Sequence, residues 1–129
     1  MSKILFVMLG GSFGALARYF VSTSKIFESS FPFGTLTVNL IGCFLIGFLF
    51  NIFEQNNLLA NYKFLILVGF LGAFTTFSTF ALDTFNLYRI GEVRLALLYF
   101  MGNNIGGILL VFLGFLFSKY VFDSLEIMK

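Results

Sequence analysis

The stretch GFLGAFTTFSTF, residues 69–80, places four hydroxyl side chains in the middle of a strongly apolar run. Its glycines and hydroxyl-bearing residues are Gly69, Gly72, Thr75, Thr76, Ser78 and Thr79. Thr76 is the midpoint between the flanking charges Lys63 and Arg89, so the hydroxyls fall at the centre of the run. A helix tolerates some Ser and Thr because they can bond to the preceding turn, but four in five residues beside glycines weaken it. We therefore predict a helix that is broken near its centre.

The composition of the chain is that of a membrane protein. Of its 129 residues, 59% are hydrophobic and 11% are charged, and the mean hydropathy is +0.98. This is too little polar surface to cover a soluble globule of that size. The net charge of +2 is too small for a nucleic-acid-binding surface, and one cysteine without any histidine excludes a disulfide framework and a plausible zinc site. We expect the lipid bilayer as the surroundings and no nucleic acid as a partner.

Four apolar segments are long enough to cross a bilayer, for which a helix needs ~20 residues. They span about residues 4–21, 34–53, 64–88 and 95–122. The runs lack the alternation of barrel strands, so helices are predicted. The first segment stays apolar to Phe20 without a convincing cleavage site, so we expect it to be retained. The predicted fold class is an all-α integral membrane protein, with residues 1–129 in one domain of four transmembrane helices.

Positive charges are balanced between the two sides of the membrane that these segments define. One side, with both termini and the second loop, carries Lys3, Lys63, Lys119 and Lys129. The other side carries Arg18, Lys25, Arg89 and Arg94. Because Lys and Arg normally set orientation, a four-to-four balance specifies no direction. Either something else orients the chain, or it inserts both ways up and two copies associate antiparallel; we favour the second.

The first segment carries small residues and a charge on one face. Gly10 and Gly14 are four residues apart, a spacing that permits close contact with another helix. For the glycines, a packing face is the interpretation we prefer. Arg18 lies one turn further along, where it either anchors the helix at the interface or presents a positive potential to an entering anion.

The second and fourth segments carry polar residues at helical spacing. Thr35 and Asn39 share a face of the second segment, and Tyr99 and Asn103 share a face of the fourth. A buried asparagine is often a hydrogen bond between helices. For Asn39 taken alone, that role and a pore-lining role are equally favoured.

Two aromatic residues accompany the central hydroxyls. Phe77 and Phe80 are three apart on one helical face, and simple packing is the ordinary role of such a pair in a chain with 21 phenylalanines. Among hydroxyls at the centre of a span they have another use, because the positive edges of two rings can flank a desolvated anion. Asp83 is the carboxylate nearest to the middle of a segment, only two turns from the segment's end. No deep acid of the kind that proton-coupled carriers need is therefore predicted.

These motifs together resemble one known family. The stretches GGSFGALARY (10–19), GTLTVNLIG (34–42) and GFLGAFTTFSTF (69–80), with the Tyr99/Asn103 spacing, are similar to the Fluc (CrcB) fluoride channels. The resemblance covers essentially the whole chain, including its four-span plan. Members of that family are dual-topology homodimers with two antiparallel pores. The resemblance therefore implies an antiparallel dual-topology homodimer here.

The resemblance also implies which residues contact ions. The fluoride path would be lined by Phe77, Phe80, Asn39, Ser78, Thr79, Tyr99, Thr35, Arg18 and Asn103. In it, Phe77 and Phe80 are the aromatic pair, and Asn39 is a pore-facing hydrogen-bond donor. The backbone carbonyls of Gly72 and Thr75, contributed by both subunits, would hold a structural Na⁺ ion at the dimer interface.

The implied function is passive, fluoride-selective export from a microbial cytoplasm across the inner (plasma) membrane, which confers fluoride resistance. No enzymatic activity is implied. One alternative is a small dual-topology multidrug or guanidinium transporter, which should carry a buried acid in its first helix; residues 4–21 contain none. A second alternative, an accessory subunit without transport activity, does not explain the clustered hydroxyls.

Overall fold

The computed structural model describes residues 2–27, 29–55 and 60–127. Within these ranges all regular secondary structure is helical. The α-helices are α1 (Ser2–Ser22), α2 (Phe33–Gln55), α3 (Ala60–Lys63), α4 (Gly72–Phe74), α5 (Phe77–Arg89), α6 (Val93–Met101) and α7 (Gly107–Ile127). Two π-helical segments, π1 (Phe64–Leu71) and π2 (Gly102–Gly106), join α3 to α4 and α6 to α7, and a 3-10 turn (Lys25–Phe27) follows α1.

The described part of the chain contains four helical spans that are long and apolar enough to cross a membrane. They are Lys3–Ser22, Phe33–Glu54, Phe64–Arg89 and Val93–Ser124. Each overlaps one of the four predicted segments. The prediction of an all-helical protein with four membrane-length helices is confirmed, and the chain is a multi-pass membrane protein.

The third span changes its packing partner part-way along. Its first half, π1 and α4, packs on α1, whereas its second half, α5, packs on α6. The second span packs along α7, the later part of the fourth span. The four spans therefore do not pack as two separate pairs, because the third span packs on α1 in its first half and on α6 in its second half.

Glycines bring two of these helix pairs into backbone contact. A methyl group at Gly10 would overlap the Leu65 carbonyl oxygen, and one at Gly14 would overlap the Phe70 carbonyl oxygen. The predicted packing face of α1 is thus confirmed. The same device joins α2 to α7, where a methyl group at Gly47 would overlap the carbonyl oxygen of Val111. Small residues are the usual means of close approach in lipid, where burial of apolar side chains gives no driving force between helices.

Local signals mark two of the helix boundaries. Pro32 precedes α2, and its carbonyl accepts the Leu36 N–H at 3.2 Å, so the ring lies where a backbone donor is not needed. The α5–α6 connection turns at Gly91, whose φ of 87° is one that side chains disfavour. The Glu92 N–H reaches back to the Leu87 carbonyl at 2.9 Å, as in a Schellman motif. α5 and α6 consequently form a tight helical hairpin.

The buried apolar residues form two clusters. The first consists of Val38, Phe53, Leu67, Leu71 and Phe74. The second consists of Phe80, Leu87, Ala96 and Tyr99. The third span contributes to both clusters. Residues 75–79 lie between Phe74, which belongs to the first cluster, and Phe80, which belongs to the second. Large apolar side chains such as Phe13 and Phe112 remain exposed on the outer faces, where a bilayer would cover them.

Candidate functional site

The backbone leaves helical geometry at Thr75 and Thr76. α4 ends at Phe74, and Thr75 then adopts φ −84° and ψ 159°. Thr76 follows with φ −150° and ψ 120°, after which α5 begins at Phe77. Thr75 remains tied to the preceding turn, because its N–H and its hydroxyl both donate to the Leu71 carbonyl, at 3.1 and 3.0 Å. We refer to Thr75 and Thr76 as the extended pair.

The hydroxyl of Thr76 caps α5. It accepts the N–H of Thr79 at 3.2 Å, which satisfies one of the donors that every helix start leaves free. The same hydroxyl donates to Thr79 Oγ1 at 3.0 Å and lies 3.4 Å from Ser78 Oγ. Three of the four hydroxyls in the TTFST run therefore form one cluster at the start of α5, with Ser78 and Thr79 exposed on its outer side.

Asn39 of α2 pairs with the backbone of Thr76. Its Oδ1 accepts the Thr76 N–H at 2.8 Å, and its Nδ2 donates to the Thr76 carbonyl at 3.1 Å. The second Nδ2 proton goes to Asn103 Oδ1 at 2.8 Å. The structure shows the hydrogen bond between helices, and the pore-lining role of Asn39 stays a prediction.

Asn103 and Tyr99 extend this network into the fourth span. Asn103 Nδ2 donates to the Tyr99 carbonyl at 3.0 Å, one turn earlier in the same helix. The fully buried hydroxyl of Tyr99 donates to Asp83 Oδ2 at 3.0 Å, across to α5. Buried Thr35 is a further polar neighbour of that hydroxyl. Polar residues from spans two, three and four thus meet beside the extended pair.

The two phenylalanines of the motif contact each other but differ in exposure. Their ring centroids are 5.5 Å apart with an angle of 59° between the planes. Phe80 is 4% exposed and lies against Tyr99, with a centroid distance of 5.6 Å. Phe77, in contrast, is 77% exposed. One ring is therefore held in place within the subunit, and the other projects from it.

A cavity of about 300 Å³ opens beside the extended pair. The predicted site residues that line it are Asn39, Gly72, Thr75, Phe77, Phe80 and Asn103. Its wall consists of α2, the third span and the start of π2. The structure thus brings most of the predicted aromatic, amide and carbonyl groups to one concave surface.

Five predicted residues do not line this cavity. Thr35 and Tyr99 lie in the polar network described above, and the other three are Arg18, Ser78 and Thr79. Arg18 is half-buried on α1 and does not line this cavity. Ser78 and Thr79 face outward next to the cavity rather than into it.

Comparison with known proteins identifies the family. The profile of the family described as CrcB-like protein, Camphor Resistance (CrcB), matches residues 5–115. The chain belongs to the CrcB family. It is similar over 128 residues, at 43% identity, to the fluoride-specific ion channel FluC of Parabacteroides distasonis, and this match covers 98% of the chain and 100% of the relative.

Further relatives of this CrcB-family chain carry the same name. The fluoride-specific ion channels FluC of Magnetococcus marinus and Thermosipho melanesiensis are each 43% identical to it. The matches cover 92% and 91% of the chain, and 99% and 96% of those two proteins. The resemblance inferred from the motifs is thereby confirmed over nearly the full length.

Two polar contacts of this CrcB-family chain were missed by the sequence analysis. Asp83 accepts the Tyr99 hydroxyl although it was set aside as too near a helix end; its position three residues after Phe80, on the same face, was the available signal. Asn51 Nδ2 donates to Ser118 Oγ at 3.2 Å, and both side chains are buried between α2 and α7. Their signal was a polar residue inside the apolar run FLFNIF, residues 48–53, and another directly after the apolar run GFLF, residues 114–117.

Proposed function

We propose that this protein is a fluoride-selective ion channel that exports cytoplasmic fluoride by passive electrodiffusion and so confers fluoride resistance. The observation that carries the proposal is the extended pair at the centre of the third span, with hydroxyls and ring edges next to it. Full-length relatives named fluoride-specific ion channels, at 43% identity, support it. This function involves passage of an ion and no catalytic step.

The chemistry of fluoride explains why such a site suits it. Hydrogen fluoride crosses membranes as a neutral weak acid and dissociates at cytoplasmic pH, which traps the anion inside. A channel lets the membrane potential drive the anion out, since moving one charge through 100 mV changes its free energy by about 2.3 kcal/mol. Selectivity over chloride requires a narrow path whose donors replace the tightly held water of the smaller ion.

The residues beside the extended pair can supply such donors without a fixed positive charge. We assign Phe77 and Phe80 to the anion path, because a ring edge is positive and their rings lie in contact. The exposed hydroxyls of Ser78 and Thr79 continue the path along the start of α5. Tyr99 is placed further along, where its ring lies against Phe80.

A structural Na⁺ ion beside the extended pair forms part of the proposal. Gly72 and Thr75 line the same cavity, and the ψ of 159° at Thr75 turns its carbonyl away from the helical direction. Unwound carbonyls of membrane helices suit sodium. Two carbonyls from one chain leave a cation short of oxygen ligands, so a second copy of the cavity would be needed to complete the shell.

The second copy is proposed to be antiparallel, with both chains in the inner (plasma) membrane. The balanced charge count and the projecting Phe77 ring, which is 77% exposed, support this arrangement. A tag fused after residue 129 tests it. Dual topology requires labelling of the tag from both faces of the cell membrane, whereas labelling from one face alone would contradict it.

Efflux from liposomes tests the function. Vesicles loaded with potassium fluoride and containing the purified protein are treated with a potassium ionophore, and an electrode records fluoride in the outer solution. We expect rapid fluoride release and negligible chloride release. Phe80→Ile is expected to abolish release, while Phe85→Ile, on the exposed face of α5, leaves it unchanged. Folded wild-type protein that released no fluoride would refute the channel.

The same vesicles address the alternative of a small multidrug or guanidinium transporter. That class should exchange guanidinium for protons and leave fluoride in place. Sodium is tested by purifying the protein in a large organic cation instead. If the ion is structural, loss of sodium should lower fluoride release and weaken the dimer together.

A further inference from the structure

We propose that a groove between α2 and α7 binds one acyl chain of a phospholipid, whose phosphate pairs with Lys63 and Lys119. This part of the subunit is not used by the fluoride function, and the proposal does not depend on that function. Two independent observations support it, which are the apolar lining of the groove and the position of two ammonium groups at its end.

The groove has a volume of about 470 Å³, and every residue that lines it is apolar. Its walls are Ile46, Gly47 and Phe50 of α2 with Val111, Phe112 and Phe115 of α7. Several of these side chains are exposed, so the groove opens on the outer surface of the subunit. Because no lining side chain can form a hydrogen bond, the groove suits a hydrocarbon chain and would be costly for a polar ligand.

The groove lies in one half of the membrane. Phe50 is five residues before the end of α2 at Gln55, which corresponds to about 7.5 Å along the helix axis. The hydrocarbon half of a bilayer is about 15 Å thick. The groove is therefore at the depth of acyl chains, and its end near Phe50 points toward the headgroups on the side of both termini.

Lys63 holds its ammonium group at this end of the groove. The group lies 5.4 Å from the centre of the Phe50 ring, and that ring is part of the groove wall. A cation is attracted to the face of an aromatic ring, so the ring positions the ammonium beside the groove. At this depth the available anion is the phosphate of a lipid headgroup.

Lys119 provides a second cation at the same end. It lies four residues after Phe115 in α7, one turn further along the same helical face. Neither lysine forms an ion pair within the described part of the chain, although Glu54 lies one turn after Phe50 on α2. Ammonium groups at the end of an apolar groove match a phospholipid, in which the phosphate lies above the hydrocarbon.

A second copy of the chain is the other occupant to consider. Ile46 also lines the cavity beside the extended pair, so the groove and that cavity are neighbours. An antiparallel copy would turn its opposite end, with Arg89 and Arg94, toward the end that carries Lys63 and Lys119. Like charges brought together oppose association, so the lysines favour a phospholipid.

A single tryptophan can report on the groove, because the chain contains none. Phe112→Trp is placed in bilayers of a diglycosyl diacylglycerol with a small share of phosphatidylglycerol, whose brominated chains quench tryptophan on contact. Phe13→Trp on α1 is the matched control, since Phe112 and Phe13 are 63% and 64% exposed. We expect the quenching to give a lipid-binding constant at Phe112→Trp at least about tenfold above that at Phe13→Trp.

Lysine variants test the contribution of the phosphate. In the Phe112→Trp protein, Lys63→Gln and Lys119→Gln should each lower the binding constant by about fivefold. Lys3→Gln is the control, because Lys3 also lies over a ring, 4.9 Å from the centre of Phe64, but Phe64 does not line the groove. An equal fall in all three variants would indicate general attraction of the lipid to charge and would overturn the proposal.

Three other results would contradict the proposal. Equal binding constants at Phe112→Trp and Phe13→Trp would mean that the groove does not prefer phospholipid. Absence of quenching at Phe112→Trp alone would mean that a second copy covers the groove. Glycerol phosphate dissolved in the buffer should leave the quenching unchanged, and a loss of quenching would mean that the lysines bind free phosphate without an acyl chain.

Wild-type protein provides a measurement without any substitution. Protein in detergent is mixed with equal amounts of phosphatidylglycerol and the glycolipid with the same chains, and native mass spectrometry records the bound lipid. We expect the phospholipid complex to exceed the glycolipid complex by about tenfold or more, and equal amounts would refute the site. Because neither experiment measures fluoride, both decide the proposal even if wild-type vesicles release no fluoride.

Discussion

Two adjacent glycines on α1 should respond in opposite ways to alanine. A Cβ atom at Gly10 would overlap the Leu65 carbonyl oxygen and would lie 2.8 Å from the Phe70 nitrogen. A Cβ atom at Gly11 would meet only the Gly69 carbonyl oxygen, at an ordinary 3.9 Å. Both substitutions add a methyl group to α1. At Gly10 the methyl group would overlap backbone atoms of π1, whereas at Gly11 it would make no close contact.

The size of the effect follows from these contacts. To restore an ordinary 3.4 Å contact with the Phe70 nitrogen, α1 must move outward by about 0.6 Å, and further to clear the Leu65 oxygen. Such overpacking costs about 1–3 kcal/mol. Replacing glycine by alanine in a helix returns up to about 1 kcal/mol at either position. Because this gain is common to both variants, Gly10→Ala should be less stable than Gly11→Ala by about 1–3 kcal/mol.

Reversible unfolding measures the difference. The two proteins are titrated from mild detergent into sodium dodecyl sulfate, and loss of helix is followed by circular dichroism. We expect the midpoint of Gly10→Ala to fall below that of wild type, and that of Gly11→Ala to equal or exceed it. Midpoints that coincide for the two variants would refute the close packing of α1 on π1.

Three further predictions use the same titration. Thr76→Val removes the hydroxyl that caps α5 and should cost about 1 kcal/mol, whereas Thr84→Val, whose hydroxyl bonds only within its own helix, should cost less. Tyr99→Phe deprives a carboxylate of its donor and should cost about 1.5–3 kcal/mol, and equal stability with exposed Tyr88→Phe would contradict that contact. Gly91→Ala forces a side chain into a φ of 87° and should cost about 1–2 kcal/mol; an unchanged midpoint would exclude strain at this turn.

The spans could be predicted from sequence because they depend on a local property. Runs of about twenty apolar residues have few alternatives in a bilayer, and each of the four observed spans overlaps a predicted one. The stretch 69–80 stands out from the other apolar segments by its glycines and hydroxyl residues, and it contains the extended pair. The close contact of Gly10 and Gly14 was likewise foreseeable from their spacing.

The partners across the site could not be predicted in this way. Asn39 and Thr76 are 37 residues apart, and nothing local to either specifies that they meet. The contact of Asn39 with the third span therefore became visible only when the fold placed α2 beside that span. The π-helical geometry of π1 was also not predictable, because its residues, FLILVGFL, have the composition of an ordinary apolar helix. The carbonyl and ring assignments for the ions stay predictions that the vesicle experiments address.

The π1 segment has a consequence for the length of the chain itself. A π-helix advances with i→i+5 bonding, so it accommodates residues that an α-helix of equal height would not. Deleting one residue from 64–71 should therefore return this segment to α-helical winding and leave Thr76 facing α2. The same deletion within an α-helix such as α2 would rotate everything downstream by about 100°, one residue's turn. The π1 segment is thus a place where the third span can lose a residue without turning the extended pair away from its partners.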